Sequence, residues 1–347
     1  MAPSTSSSKR AFSAAMSLLL FFGMWASPAM SRKLHIMSMQ ERHEQWMSQF
    51  GRAYKDADEK AMRFEIFSDN AGRIDQFNEA GNTTFTLAVN QFADMTNEEF
   101  RATYTRLTTS SPIGDAATLF QYENVTNIPR FMDWRRRKAV TSVKNQGECG
   151  SCWAFSAVAA VEGIHKLKTG RLVSLSEEQL VECDRVGEDK GCDGGLMDDA
   201  FKYMIRHGGL TSETNYPYTA TDSRPCNSRK ANRIAAKIKR YEDVPGNNEK
   251  ALLKAVAHQP VSVAIEASGW EFQFYSGGVF DGQCGHNLDH GVAAVGYGTS
   301  KGRMKYWLVK NSWGASWGEQ GYVRLKRETR SKYGMCGIAM SASYPIA

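Results

Sequence analysis

The amino-acid sequence predicts an α+β protein, because helical and strand-like patterns occupy different parts of the chain. Helical periodicity fills residues 37–81, where Trp46, Phe50, Phe67, Ile74 and Phe77 recur near multiples of 3.6, and a second run of good helix formers covers residues 154–168. Strand-like alternation marks residues 260–265, 292–297 and 306–310 instead. The 347 residues are 42% hydrophobic and 23% charged, ample for a buried core and too apolar for intrinsic disorder. Thirty glycines and nine prolines exclude a collagen-like or low-complexity chain.

Charge excludes a further class. The formal net charge is +6, yet the longest basic run is Arg135, Arg136, Arg137, Lys138 with no interleaved aromatics, so no nucleic-acid partner is expected. The charge is graded along the chain: about +2 over residues 1–31, about −4 over 32–127 and about +8 over 128–347. Unlike charges of this kind favour encounter between an acidic front and a basic back.

Residues 1–31 read as a secretory signal. Lys9 and Arg10 precede an apolar run over 11–25, and Ala29 and Ser31 supply small residues for cleavage before Arg32. The run falls short of the ~20 residues that span a bilayer, so no membrane association is expected after cleavage. Seven cysteines, all after residue 148, suit an oxidising compartment, and their odd number leaves one thiol over. Six paired cysteines allow 15 connectivities, among which the sequence alone does not choose.

The helical front segment is expected to break near Gly51, and Glu59 and Arg63 stand four apart where they can pair on one helix face. Glu59, Arg63, Phe67, Asn70, Ile74 and Asn78 together resemble the interspersed pro-region motif of papain-like cysteine proteases. A second pro-region motif, Gly-x-Asn-x-Phe-x-Asp, is matched by Asn90, Phe92 and Asp94 but has Ala88 at its first position. The resemblance implies that residues 32–127 form an inhibitory propeptide, an intramolecular inhibitor whose tail crosses the active-site cleft in reversed polarity. Residues 108–127 read as an exposed linker with cleavage near its end, leaving residues 128–347 as the mature peptidase. Asn82 and Asn124 head glycosylation sequons.

The strongest motif surrounds Cys152. Residues 149–153 read Cys-Gly-Ser-Cys-Trp, the nucleophile signature of papain and cathepsins, and the helix expected from residue 154 places Cys152 at its N-terminus. Unpaired backbone N–H groups and the helix dipole there favour the thiolate. Three other readings compete: a Cys149-x-x-Cys152 redox dithiol, which lacks the preceding strand; a zinc site with His286 and His290, whose spacing is far too long; and structural disulfides for both cysteines.

A thiolate needs a neighbouring imidazole to stabilise it and to protonate the departing amine. His290 lies about 138 residues past Cys152, inside the window for such enzymes, with His286 as its nearest rival. By similarity Asn311 orients the imidazole under the aromatic cover of Trp313 and Trp317, and Gln146 joins the Cys152 backbone N–H in the oxyanion hole. The family pattern pairs Cys149 with Cys192, Cys183 with Cys226 and Cys284 with Cys336, leaving Cys152 free. Gly194 and Gly195 would let an extended peptide approach and pair through its backbone. Leu196, Met197, Ala264, Leu288, Gly291 and Ser341 would line the pocket for the second residue before the cut, with no acid at its base and a preference for apolar or aromatic side chains.

The resemblance also implies the architecture, a papain-like α+β fold of two subdomains, one helical from Cys152 to about Ile238 and one an antiparallel barrel-like sheet carrying His290 and Asn311. It implies a monomeric endopeptidase without metal or other cofactor, polypeptide substrates, cystatin-like protein inhibitors as further partners, and residence in the secretory pathway, in a vacuole or lysosome or outside the cell. An inactive homologue acting as a storage protein predicts damage at the nucleophile, base or oxyanion positions, and none is visible. A third reading makes the front segment the functional part, an inhibitor of related proteases.

Overall fold

A computed structural model describes residues 37–81, 83–107 and 120–347. The expected signal segment 1–31, the sequon residue Asn82 and residues 108–119 of the expected linker lie outside the described residues. Residues 39–347 pack as one compact unit, so the front segment and the remainder share continuous contacts.

Helix α1 (Met39–Phe50) stops at Gly51, whose φ of +62° suits a residue without a side chain. The long α2 (Ala57–Glu79) starts from Asp56, whose carboxylate accepts the Glu59 N–H at 2.8 Å. Trp46, Phe67 and Ile74 are buried between the two helices and what they cover, as the periodicity predicts. Arg63 does not choose Glu59. It pairs with Glu99 at 2.7 Å and donates to the Asp94 carbonyl, because the chain beyond β1 (Phe85–Leu87) folds back over α2. Helix α3 (Asn97–Tyr104) begins with a full capping box between Thr96 and Glu99.

After the short β2 (Met132–Asp133), the chain forms the central α4 (Cys152–Thr169), which ends at Gly170 with φ +76°. Most of α4 through Ile164 is buried on every side, so its helical stripe is not the usual one-faced pattern. Gly163 is required there: a Cβ would stand 2.5 Å from the Pro260 ring. Helices α5 (Glu177–Cys183) and α6 (Met197–His207), with the ribbon of β3 (Leu210–Thr211) and β4 (Ile234–Ala236) joined through α7 (Ser228–Ala231), build the helical subdomain around an apolar cluster of Trp153, Val158, Leu180, Phe201 and Met204.

The second subdomain is one sheet, supported by α8 (Glu249–His258) and the single turn α9 (Trp270–Gln273). Its strands are β5 (Arg240–Asp243), β6 (Val261–Ile265), β7 (Tyr275–Phe280), β8 (His290–Thr299), β9 (Lys305–Lys310), β10 (Tyr322–Lys326) and β11 (Ala342–Ile346). They run in the order β1-β7-β10-β9-β8-β6-β11-β5 with β2 beside β8; β7 and β10 are parallel and the other neighbours antiparallel. The edge strand β1 belongs to the front segment, which therefore extends the sheet of the second subdomain. The apolar core follows the same path: Trp46, Phe67, Phe92 and Phe100 belong to one cluster with Val261, Trp307 and Trp313.

Part of the expected linker is not exposed. Phe120 and Tyr122 are buried, Tyr122 stacks on His258 at 4.5 Å and donates to Gln259 Oε1 at 3.0 Å, and both rings meet Tyr344. Two aromatic residues inside a stretch of small and polar ones were the signal that this segment is anchored. Asn124 is exposed beside it.

Candidate active site

The sulfurs join as Cys149–Cys192, Cys183–Cys226 and Cys284–Cys336, and the remaining Cys152 is free. The Cys149–Cys192 bond excludes a Cys149–Cys152 dithiol. Cys152 is the first residue of α4, where backbone N–H groups have no partner within the helix. The backbone N–H groups of Gly291, Arg106 and Trp153 lie near its sulfur and favour its charged form, which sets it beside the start of β8.

His290 opens β8, opposite Ile265 of β6, and Asn311 follows β9 directly. The two strands are neighbours, so the side chains meet: His290 Nε2 and Asn311 Oδ1 are 2.7 Å apart. A carbonyl oxygen only accepts, so Nε2 carries the proton and Nδ1 keeps the basic lone pair. That Nδ1 is buried with no hydrogen-bond partner. Trp313 stacks on the imidazole at 4.6 Å, with Trp317 edge-on to Trp313 at 5.0 Å. Trp313 is fully buried, covered by Phe92, Phe100 and Tyr104 of the front segment, so it shields the His290–Asn311 bond rather than lining the open cavity described below. His286, the rival histidine, lies against Tyr333 and Ser331, away from Asn311.

Gln146 is fixed from two sides: its N–H donates to the Ser312 carbonyl at 2.8 Å and Ser312 Oγ donates to its Oε1 at 2.6 Å. Ser312 escaped the sequence reading although it lies between Asn311 and Trp313. The Gln146 amide points its Nε2 at the carbonyls of Cys149, 3.0 Å away, and Tyr104, 3.4 Å away.

Residues 104–107 thus run through the site. The Arg106 N–H meets the sulfur, Leu107 N–H donates to the Asp289 carbonyl at 2.9 Å, and Leu107 bridges Gly195 in parallel sense. An N–H at the sulfur leaves it no carbonyl carbon to attack. The covering chain also removes water. Burial pushes the Cys152 thiol up to about 11 and the His290 imidazole down to about 4, against the helping hydrogen bond that His290 donates to Asn311. The pair expected as thiolate and imidazolium is therefore neutral in this form, because the expectation took no account of the propeptide's desolvation.

Beside Leu107 opens a cavity of about 970 Å³. Leu196, Met197, Leu288 and Ser341 line it as the resemblance implies, together with Met340. Ala264 sits behind this wall, packed in one cluster with Met197 and Leu288, while a Cβ on Gly291 would point at Met197 Sδ, 3.2 Å away. The expected absence of acids is corrected: Asp198, Asp199 and Asp243 also line the cavity, with Lys202. They come from α6 and β5, which only the tertiary fold brings together. Burial, and Asp243 beside it, push the Asp198 carboxyl up to about 7.

A polar network that sequence reasoning missed joins the two subdomains behind the site. Lys144 Nζ reaches Glu177 at 2.7 Å and Glu162 at 3.2 Å, Thr141 donates to Glu162, and Lys310 Nζ donates to Thr141 at 2.9 Å. The signal was Lys310, a lysine closing the apolar run 307–309 directly before Asn311.

Comparison with known proteins agrees with this geometry. Residues 128–346 match the papain family of cysteine proteases, and residues 43–100 match the cathepsin propeptide inhibitor domain (I29). The chain is 57% identical over 317 residues to the senescence-specific cysteine protease SAG39 of Oryza sativa subsp. indica, covering 89% of this chain and 91% of that one. It is 51% identical over 342 residues to the senescence-specific cysteine protease SAG12 of Arabidopsis thaliana, covering 95% and 98%. The crystal structure of the proform of Amb a 11, a cysteine protease and major ragweed pollen allergen, superposes with a TM-score of 0.82 at 46% identity, covering 89% of this chain and 94% of that one. The chain belongs to the papain family of cysteine proteases, carried here as a zymogen whose own propeptide domain is its inhibitor.

Proposed function

We propose that the zymogen is a secretory-pathway endopeptidase in which Cys152 is the nucleophile, His290 the acid and base, Asn311 the orienter of His290 and Gln146 an oxyanion donor. Residues 1–31 are the signal, 32–127 the propeptide and 128–347 the mature enzyme. The observation that carries the reading is the free thiol at the α4 N-terminus next to β8, whose first residue holds its imidazole by Nε2 and keeps Nδ1 bare. Once the propeptide leaves, water returns and the thiol proton passes to Nδ1. The thiolate attacks the scissile carbonyl carbon, Gln146 Nε2 and the Cys152 N–H hold the oxyanion, and His290 gives its proton to the departing amine. Water then attacks the thioester with His290 as base, releasing the acid and restoring the thiol.

The pocket beside Gly195 takes apolar or aromatic side chains. Its Leu196, Met197 and Leu288 support this, and Asp198 is mainly protonated at acid pH, so it adds no charge there. Polypeptides are the substrates, and cystatin-like inhibitors would compete for the same groove. The mature enzyme acts as a monomer in a vacuole or lysosome, or outside the cell, and the glycans on Asn82 and Asn124 belong to the zymogen and leave with the propeptide. Among the described residues no helix is long and apolar enough to cross a membrane. Labelling the acid-matured protein with an epoxide thiol inactivator and mapping the adduct by mass spectrometry tests the central assignment: modification at Cys152 is expected, and modification elsewhere overturns it.

A further inference from the structure

The mechanism leaves one pair of buried acids unused. Asp184 caps the C-terminus of α5 and is fully buried; Asp189, five residues on in the loop to Cys192, is 2% exposed. Each carboxyl has one oxygen with a conventional donor. Asp184 Oδ1 takes the Val186 N–H at 3.4 Å and faces Arg206 at 3.7 Å, and Asp189 Oδ1 takes the Leu196 N–H at 2.7 Å. Both Oδ2 atoms are buried with no hydrogen-bond partner, and the two carboxyls stand close enough to act on each other. Two buried carboxylates side by side have no hydrogen to share and repel each other, so one carries a proton.

Asp189 stands directly beneath the segment that meets an extended peptide. A Cβ on Gly195 would lie 2.5 Å from Asp189 Oδ1 and 2.7 Å from the Trp153 ring, so the backbone at Gly195 rests on both. Gly194 holds φ at +113°, and its carbonyl accepts the Lys190 N–H at 2.8 Å. Gly195 is the residue that bridges Leu107 of the propeptide. We infer that Asp184 and Asp189 share one proton across their facing oxygens and that Asp189, through the Leu196 N–H, is a positioning residue that holds Gly194 and Gly195 in register for the substrate backbone.

Burial raises both carboxyls, Asp189 further than Asp184. Burial is the largest influence, and the Asp184 carboxylate adds to it against the Leu196 N–H, pushing the Asp189 carboxyl up to about 10. Asp199 of α6 faces both acids, with its own Oδ2 on the Glu188 N–H and Oδ1 on Lys202 Nζ at 2.8 Å, and Arg206 is the cation facing Asp184. With Arg206 facing only Asp184, the two acids keep a proton between them. That proton stays through neutral pH and leaves in alkali.

This inference rests on the reading that Gly195 pairs with substrate backbone, and the two are separable by experiment. On the acid-matured wild type, methylating the substrate amide that pairs with Gly195 tests the reading alone; an unchanged KM defeats it. The inference itself is tested with a fluorogenic peptide on matured Asp189→Ala and Asp189→Asn. Alanine removes both bonds and is expected to raise KM about tenfold with kcat within about twofold, the pattern of lost uniform binding. Asparagine keeps an oxygen for Leu196 and offers its N–H to Asp184, so KM within about twofold of wild type is expected. In alkali the wild-type KM should climb while the Asp189→Asn KM stays level, which a merely structural role does not produce. A KM for Asp189→Asn more than about fivefold above wild type, an alkaline climb shared by both, or an unchanged KM in Asp189→Ala overturns the inference. Asparagine decides the matter even where the alanine variant does not fold.

Discussion

Removing the propeptide should change the ionisation of the catalytic pair itself, beyond opening the groove to substrate. Moving the proton from a thiol at about 11 to an imidazole at about 4 costs about 9 kcal/mol. Attraction between the resulting unit charges at about 4 Å and an effective dielectric of 20 returns about 4 kcal/mol. The neutral pair therefore wins in the zymogen by about 5 kcal/mol. In a hydrated groove the same transfer starts from the ordinary values of 9 and 6.5 and costs about 3 kcal/mol, which the attraction and the α4 N-terminus together exceed. The assay is ultraviolet thiolate absorbance as a difference between wild type and Cys152→Ala, which cancels tyrosine ionisation. Across pH 5 to 8 the zymogen should show no thiolate and the matured enzyme nearly a full equivalent. Thiolate in the intact zymogen at pH 6 would refute the claim that burial sets the state of the pair.

Three further outcomes follow from single contacts. Asn311→Ala removes a buried acceptor from His290 Nε2, so kcat of the matured enzyme should fall about tenfold to a hundredfold with a smaller change in KM, read by steady-state kinetics. Gln146→Ala should lower kcat about a hundredfold to a thousandfold, while labelling of Cys152 by an epoxide changes far less, since alkylation forms no oxyanion. Tyr122→Ala empties a buried aromatic site between His258 and Tyr344 and should destabilise the zymogen by about 3 kcal/mol, leaving the melting temperature of a matured enzyme that begins near Ile128 unchanged.

Legibility in the sequence depended on how local each signal was. Helices α1 and α2, α4 with Cys152 at its start, and strands β6, β8 and β9 follow from periodicity and helix-stop residues, all within a few turns of chain. The proposed site residues were nameable because Cys152, His290, Asn311 and Gln146 each sit in a short motif. What escaped was set by tertiary approach. Asp198 meets Asp243 only when α6 packs on β5, Arg63 prefers the distant Glu99 to its helical neighbour Glu59, and Phe120 and Tyr122 become core only because Tyr344 and His258 wait for them. The neutral state of Cys152 and His290 was illegible for a related reason: it is imposed by a chain segment nearly fifty residues upstream.

The graded charge pointed to encounter between an acidic front and a basic back, and the seated interface does not rest on it. Among the described residues the ion pair across the boundary, Arg106–Asp193 at 3.0 Å, has a propeptide cation and an enzyme anion, the reverse of the gradient. The acidic front half spends its charges internally, in Arg42–Asp75, Arg52–Asp94 and Arg63–Glu99. The boundary instead is aromatic and backbone-made: Phe92, Phe100 and Tyr104 on Trp313, Phe85 on Phe280, Arg73 over Trp270 at 4.1 Å, and β1 on β7. Salt at 1 M, with a screening length of about 3 Å, should therefore leave the inhibitor seated at neutral pH. Acid must act on the fold of the propeptide. His43 is buried among Trp46, Phe64 and Phe67, and burial holds its imidazole below the ordinary 6.5. The unfolded propeptide then takes up a proton that the folded one refuses, so stability is lost as pH falls below 6.5. Glu99 adds a second loss lower down: burial opposes its charge, but Arg63 and the Thr96 cap overcome this and hold its carboxyl below the ordinary 4.5, so that contribution, present above 4.5, disappears as pH falls through the lowered value. Conversion of the purified zymogen, followed on gels, should accelerate between pH 7 and 5 and stay unchanged between 0.1 and 1 M salt at pH 7. His43→Phe, which keeps the packing and removes the proton site, should shift the onset of conversion to lower pH. Conversion triggered by salt alone, or a His43→Phe onset equal to wild type, would show that the hold is electrostatic or that the acid lever lies elsewhere.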